Sequence, residues 1–323
     1  MAVPRLSPSG ENWDYYLGDF ATAFSMECAR GGGVISADDF HAYEPRWYEP
    51  VRGTYRGMEV VASAPPDDGG AQLIDALALL EARDVAAMGP ATESAETLEL
   101  LADVHNQVYY APARAGRNAA SGMVDRPGSG PVPSPGTIHV TVVDEQRNVA
   151  SLTHSHMASP WVNGLFAEGT QLSAGGSFFQ RGMPALGERA TVYLAPNMVL
   201  AHGRPVLASG SPSVSLVACV LQSLVHVIDF GLPIEEVVAM PRFGARPHEP
   251  EHGWLPGVTL EHGFPAAVDA EFRRRWTARG GWLADLGPWH SLTGNFDGVT
   301  IDPGSGVLRA CADPRRNGAA EAF

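Results

Sequence analysis

The stretch that decides the fold is residues 125–144, which read DRPGSGPVPSPG and then TIHVTVVD. The first part holds four prolines, and because proline cannot pair in a central strand, we expect an exposed connection. The second part is β-branched and alternating, which predicts a strand. One face of this strand carries Thr137, His139 and Thr141, and the other carries Ile138, Val140 and Val142. The strand therefore begins with a threonine that directly follows a glycine.

A threonine in this position suits self-cleavage. A hydroxyl is a weak nucleophile without a base beside it, and the α-amine of the same residue becomes that base once the preceding peptide bond is broken. An α-amine has an ordinary pKa of about 7.7 to 8, so it is partly neutral at physiological pH. Gly136 permits backbone angles that let the hydroxyl reach the carbonyl behind it. The sequence predicts cleavage between Gly136 and Thr137, with an ordinary loop and strand as the alternative.

Composition limits the classes of partner and site. The chain has 323 residues, enough for one large domain or two small ones, and a formal charge of -14 argues against nucleic acid or an anionic membrane as partner. Its three cysteines are far apart and odd in number, which matches neither a disulfide framework nor a zinc spacing. With no signal-like start and no apolar run long enough to span a membrane, the chain as written is expected to be cytoplasmic.

Two later stretches offer further candidate sites. Residues 214–230 are apolar on nearly every face, which predicts a helix buried between layers. We expect Ser211 or Ser213 to cap it, and its free N–H groups would suit an oxyanion hole, although an ordinary capped core helix fits equally. In the predicted strand 149–156, His154 and His156 lie on one face and could form half of a metal site, but no third ligand at a suitable spacing is visible.

The ordered set of motifs resembles the γ-glutamyltransferase (γ-glutamyltranspeptidase) family of N-terminal nucleophile (Ntn) hydrolases. The matching segments are YEPRWYEPVRGTYRG (43–57), APPDDGG (64–70), GTIHVTVVD (136–144), GSP (210–212), VLQSLVHVIDFGL (220–232), MPRF (240–243), VTLEHGF (258–264) and ADPRRNGA (312–319). The resemblance implies an α+β fold, the four-layer αββα sandwich, and a precursor that cuts itself before Thr137. Residues 1–136 would be the C-terminal part of the large subunit, ending in a Pro/Gly linker, and 137–323 the small subunit, together one domain and a heterodimer. No metal or organic cofactor is implied.

The resemblance also assigns site residues. Thr137 is the nucleophile, Ser155 stands where a threonine hydrogen-bonds it, and Ser213 and Val214 replace a Gly-Gly pair whose N–H groups hold the oxyanion. The residues at substrate-binding positions are Met157, where the family has asparagine, Gly175 and Phe178, where it has amide and acidic side chains, and Val192 and Tyr193, where it has a Ser-Ser pair.

These departures predict an altered substrate. A zwitterionic glutamyl head group would leave its ammonium unpaired in an apolar pocket, at a cost of several kcal/mol. Free γ-glutamyl peptides such as glutathione are therefore expected to be poor substrates, and a less polar amide or acyl compound is favoured.

Nothing in the sequence corresponds to the family's long N-terminal segment, which includes an arginine for the substrate carboxylate. Either the start is misplaced, or another chain supplies that part, or the site is incomplete. Two alternatives to a self-processing hydrolase or transferase stay open, namely a degenerate non-catalytic homologue or partner subunit and, less favoured, a metal-dependent hydrolase.

Overall fold

The structure, a computed structural model, describes residues 13–114, 136–155, 164–172, 188–189, 192–245 and 256–322. The α-helices in these ranges are α1 (Trp13–Tyr16), α2 (Asp19–Arg30), α3 (Ala37–His41), α4 (Gly69–Glu81), α5 (Ala95–Arg114), α6 (Leu216–Asp229), α7 (Ile234–Ala239) and α8 (Ala266–Ala278). The strands are β1 (Val51–Tyr55), β2 (Met58–Ala62), β3 (Thr137–Val143), β4 (Val149–Ser155), β5 (Phe166–Ala167), β6 (Thr170–Gln171), β7 (Asn197–Ala201), β8 (Arg204–Gly210), β9 (Phe243–Ala245), β10 (Gly257–Glu261), β11 (Trp282–Leu286), β12 (Asp297–Ile301) and β13 (Leu308–Cys311). None of the helices in the described ranges is long and apolar enough to cross a membrane.

The main sheet has six strands in the order β1-β2-β7-β8-β12-β13, and every neighbouring pair is antiparallel. Helices α4 and α6 pack on this sheet, and α5 and α8 pack beside them. The largest core cluster joins these four helices to strands from both sides of Gly136, including Tyr55 before it and Phe243 after it. The chain is therefore a mixed α+β protein in which the two predicted segments share one core.

Helix α6 confirms the prediction of a helix buried between layers, because every residue from Leu216 to His226 is buried. The predicted N-caps are wrong. Ser215 occupies the N-cap position, and its side chain makes no capping hydrogen bond. Its hydroxyl instead donates to the Leu292 carbonyl and accepts the Ala245 N–H at 3.0 Å. Tertiary contacts with two other segments take the place of the local cap.

The hairpin β3–β4 lies over strands β8 and β12 of the main sheet with its polar face inward. Thr137 and His139 on this inner face are buried. The outer face is aliphatic and exposed, at 55% for Ile138, 43% for Val140, 55% for Val142 and 58% for Leu152. The described residues thus form three of the four expected layers, namely helices, main sheet and hairpin.

A buried network of charged side chains anchors the C-terminal turn. Arg315 donates to Glu261 at 2.8 Å and to Asp313 at 3.2 Å, and Arg242 contacts Asp313 from the opposite side. All four side chains are almost completely buried. Asp313 also accepts the Phe296 N–H at 3.1 Å, at the start of β12. The network therefore joins the C-terminal turn to β9, β10 and β12.

We expect Arg315→Met to reduce the free energy of unfolding by about 3 to 5 kcal/mol, because it leaves two buried carboxylates without their main partner. Urea unfolding at pH 7 measures the loss. The control is Arg309→Met, which breaks an exposed pair with Glu235 of 3.1 Å and should cost less than about 1 kcal/mol. Equal losses in the two variants would show that the buried network adds nothing special.

Candidate active site

The first residue of β3 and the last residue of β4 face each other. Thr137 pairs directly with Ser155 in the antiparallel register, and their hydroxyl oxygens are 2.8 Å apart. Both side chains point to the inner face, where Thr137 is only 5% exposed. Gly136 precedes Thr137 and is half-buried. The structure thus brings together the predicted nucleophile and the residue predicted to orient its hydroxyl.

The turn between β8 and α6 holds the predicted oxyanion residues. Ser213 has a φ of 103°, a value in the region that favours glycine. Such a conformation costs a non-glycine residue about 1 to 3 kcal/mol, so the surrounding structure must hold Ser213 in place. The Ser213 hydroxyl donates to the Leu292 carbonyl at 3.4 Å, and Val214 packs against Leu286 and Leu292. The two backbone amides lie just before α6, where N–H groups have no partner within the helix.

A cavity of about 810 Å³ opens beside the inner face of β4, and Val192 and Ser151 are among the residues that line it. Ser151 is on the same strand and face as Ser155, about 13 Å along the strand at 3.3 Å per residue. Asp67 also lines the cavity, and burial raises the pKa of its carboxyl to about 7. Tyr193, by contrast, is buried against Leu216 and other apolar residues.

Arg316 is a residue to which the sequence analysis assigned no role. It ends a short 3₁₀ turn, Pro314–Arg316, and its Nη1 donates to the Thr137 carbonyl oxygen at 3.5 Å. The motif ADPRRNGA could have indicated a role for Arg316, because it contains two successive arginines whose side chains leave the same turn in different directions. Arg315 enters the buried network, and Arg316 reaches the nucleophile strand.

Comparison with known proteins identifies the family of this chain. The family model described as Gamma-glutamyltranspeptidase matches residues 3–117 and 113–323. The chain belongs to the gamma-glutamyltranspeptidase family.

Named relatives in this family include hydrolases and acylases. The chain is 27% identical to the glutathione hydrolase proenzyme of Escherichia coli (strain K12) over 94% of its own length and 57% of the relative's. It is 28% identical to the Acylase ACY 1 proenzyme of Pseudomonas sp. (strain V22), again over 94% of its length and 57% of the relative's. The chain thus spans little more than half the length of these relatives.

A solved structure supports the same fold. The cephalosporin acylase from Bacillus halodurans is similar with a TM-score of 0.74 and 18% sequence identity, over 97% of this chain and 60% of that one. At this level of identity the likeness concerns the fold.

Several predicted gamma-glutamyltranspeptidase site residues lie outside the described ranges, namely Met157, Gly175 and Phe178, and so does His156. His154 lies on the exposed outer face of β4. The described ranges contain no group of three His, Cys, Asp or Glu side chains placed to hold a metal ion. The metal alternative therefore gains no support from the described residues.

His139 lies two residues after Thr137 on the inner face. Its Nδ1 is 2.8 Å from the Thr153 hydroxyl and its Nε2 is 3.0 Å from the Thr141 hydroxyl. A side chain at Gly210 would place its Cβ 2.3 Å from the imidazole ring, so glycine leaves the room that the ring needs. Burial lowers the pKa of His139 to about 4. The imidazole is therefore neutral and links the hairpin to the main sheet.

His139 should make stability fall in mild acid. In the unfolded chain it takes a proton below about pH 6.5, whereas in the folded chain it does so only below about 4. The unfolded state then binds more protons between these values, so stability decreases as pH falls through this window. We expect His139 to account for about 2 kcal/mol of lost unfolding free energy between pH 7 and 5. Urea unfolding at the two pH values measures it.

In His139→Gln that part of the pH dependence should disappear. His202→Gln, which changes an exposed histidine, is the control and should keep it. An unchanged pH dependence in His139→Gln would contradict the neutral, buried imidazole.

Proposed function

We propose that this protein is a self-processing threonine-nucleophile hydrolase or transferase of the gamma-glutamyltranspeptidase type. The observation that carries the proposal is the 2.8 Å contact between the Thr137 and Ser155 hydroxyls, at the start of a strand directly after Gly136. Family membership supports it, since the relatives named above are proenzymes. The degenerate homologue is the second candidate, favoured by the departures at the substrate positions.

The proposed processing step uses the hydroxyl of Thr137. Its oxygen attacks the Gly136 carbonyl carbon, the peptide C–N bond breaks, and the acyl group moves from nitrogen to oxygen. Water then hydrolyses the ester, leaving a carboxylate on Gly136 and a free α-amine on Thr137. Ser155 orients the attacking oxygen through its hydrogen bond.

The same hydroxyl then attacks a substrate carbonyl. The neutral α-amine accepts the proton from Thr137 Oγ and passes it to the departing amine. The Ser213 and Val214 amides stabilise the negative oxygen, a type of contact worth roughly 3 to 4 kcal/mol. Water or an acceptor amine finally releases the acyl group from the threonine ester. Every step thus uses groups of this chain and no metal.

The substrate we propose is an amide related to the γ-glutamyl compounds, with an acyl group less polar than the γ-glutamyl group of glutathione. Val192 brings an aliphatic side chain to the cavity beside β4, where the family pattern has a serine hydroxyl. Tyr193 packs against apolar residues, so we do not expect it to supply the hydroxyl contact of the family's second serine. The similarity to a relative named as an acylase agrees with this choice.

Processing can be tested by intact mass. The wild-type chain should yield two fragments that meet at residues 136 and 137, and Thr137→Ala should stay uncut. Ser155→Ala should slow cleavage about tenfold to a hundredfold, because the hydroxyl loses its orienting partner, whereas Ser155→Thr restores it. Ser151→Ala, on the same strand and face, is the matched control and should cut normally.

The cut protein is then assayed on two chromogenic anilides, one γ-glutamyl and one with an uncharged aliphatic acyl group. Faster release from the aliphatic anilide supports the proposed substrate class, and the reverse order contradicts it. A wild-type chain that stays uncut would reject the self-processing enzyme and leave the degenerate homologue.

We also propose that a separate polypeptide, equivalent to the N-terminal part of the relatives that lies outside their match with this chain, covers the outer face of the β3–β4 hairpin. A hairpin in water is marginally stable by itself, and exposed aliphatic side chains in a continuous patch mark an interaction site. Four such side chains lie on this face. The relatives carry additional length, since 43% of the E. coli glutathione hydrolase proenzyme lies outside the 57% that this chain matches.

The outer face can be tested by recovery of the tagged chain from its own host. We expect it to bring with it a polypeptide that matches the N-terminal part of the family, and the double variant Val140→Glu, Leu152→Glu to lose that polypeptide. Leu79→Glu, at an exposed leucine of α4 in the helical layer, is the control and should retain it. A homodimer sensitive to the same double variant, or recovery of the chain alone, would contradict the proposal.

A further inference from the structure

The C-terminal turn presents two successive arginines to different surroundings. Asp313 is the N-cap of the 3₁₀ turn and accepts the Arg315 N–H at 2.9 Å, and Asn317 closes the turn with a φ of 58°. The buried network fixes Arg315 on one side. Arg316 therefore leaves the turn in a direction set by rigid surroundings, and its guanidinium reaches the Thr137 carbonyl oxygen at 3.5 Å.

The guanidinium of Arg316 is close to where the α-amine of Thr137 would be. The carbonyl oxygen and the nitrogen of one residue are only three bonds apart, so a group 3.5 Å from that oxygen also lies near the amine. A charge within about 4 to 6 Å shifts a pKa strongly. Arg316 is half-buried, which weakens the screening of its charge by water.

Other charged groups near this position are Asp297, Asp313, Arg242 and His139. Asp313 and Arg242 contact each other inside the buried network. His139 is neutral at physiological pH because burial lowers its pKa to about 4. Asp297, at the start of β12, interacts electrostatically with Arg316, and burial raises the pKa of its carboxyl to about 6. Among the residues that the structure describes, Arg316 and Asp297 are therefore the charges we expect to act on the amine.

We propose that Arg316 is a positioning residue for Thr137, which holds the carbonyl of the nucleophile and, by its positive charge, favours the neutral form of the α-amine freed by cleavage. The inference rests on the proposed function, because only a cut chain has this amine. A neutral amine is the form that accepts the proton from Thr137 Oγ, so a neighbouring cation extends activity to lower pH. Asp297 acts in the opposite direction.

The pH profile of kcat/KM separates this role from a purely structural one. The cut wild-type protein is assayed on whichever of the two anilides it hydrolyses faster. The acidic limb of its kcat/KM profile should follow the titration of the Thr137 α-amine. Arg316→Met should move that limb upward by about one pH unit, and Arg316→Gln, which keeps a hydrogen-bond donor without the charge, should do the same. Arg316→Lys keeps the charge and should leave the limb in place. Arg309→Met is the control for loss of a surface arginine.

A variant at Asp297 tests the same electrostatic effect on the α-amine, because it removes a negative charge where the Arg316 variants remove a positive one. In the wild type, the Asp313 N–H donates to the Asp297 carboxylate at 3.0 Å. Asp297→Asn keeps an oxygen that can accept this hydrogen bond and removes the negative charge. Its acidic limb should move downward, so the inference remains testable if Arg316→Met does not fold or is not cut.

An acidic limb at the same pH in wild type, Arg316→Gln and Asp297→Asn would overturn the role of Arg316 while leaving the threonine mechanism intact. An uncut wild-type chain would instead overturn the proposed function, and the inference with it.

Discussion

The structure depends on the inward orientation of the polar face of the β3–β4 hairpin. Because side chains alternate along a strand, turning Thr137, His139 and Thr141 inward forces Ile138, Val140 and Val142 outward. In the contact between hairpin and main sheet, the Ser151 hydroxyl donates to the Ser209 carbonyl at 3.1 Å, and the His139 ring lies against Gly210. Within the hairpin itself, both ring nitrogens of neutral His139 have hydroxyl partners, and the Thr137 hydroxyl contacts the Ser155 hydroxyl. One choice of face thus creates both a polar pocket for a nucleophile and an exposed apolar surface.

The second organising feature is the buried charge network at the C-terminal turn. Removing ions from water is costly, so such a network persists only where each carboxylate has several donors, as Glu261 and Asp313 do here. Its geometric effect is to bring residues near the end of the chain to the start of β3. The environment of Thr137 is therefore set jointly by segments that are about 180 residues apart, as the contact with Arg316 illustrates.

Departures from the family pattern fall into two physical kinds. At Ser213 the side chain differs while the backbone retains a glycine-like conformation, so amide donors stay available in the same region. At Val192 and Tyr193 the change affects side-chain chemistry itself, and no adjustment of the backbone restores two hydroxyls. In the proposed mechanism, the amides that would hold the oxyanion and the side chains that would contact the substrate can therefore change separately. The family includes both proteins named glutathione hydrolase and proteins named acylase.

Local pattern in the sequence was sufficient for the elements that carry strong periodicity. The strand at 137–143, its partner at 149–155, the buried helix α6 and the pairing of hydroxyls at 137 and 155 all follow from alternation, apolar runs and the order of family motifs. The sequence did not decide which face of the hairpin is buried. Alternation of polar and apolar side chains defines two faces but does not show which of them packs on a sheet.

Only the tertiary structure decided three other features. The N-cap of α6 was misplaced because the Ser215 hydroxyl bonds to Leu292 and Ala245, which lie 30 or more residues away along the chain. The strand β11 was missed, and its parallel partner β10 lies about 25 residues before it. The contact of Arg316 with Thr137 also required the fold, since hydrogen bonds across such separations depend on packing that no local pattern encodes.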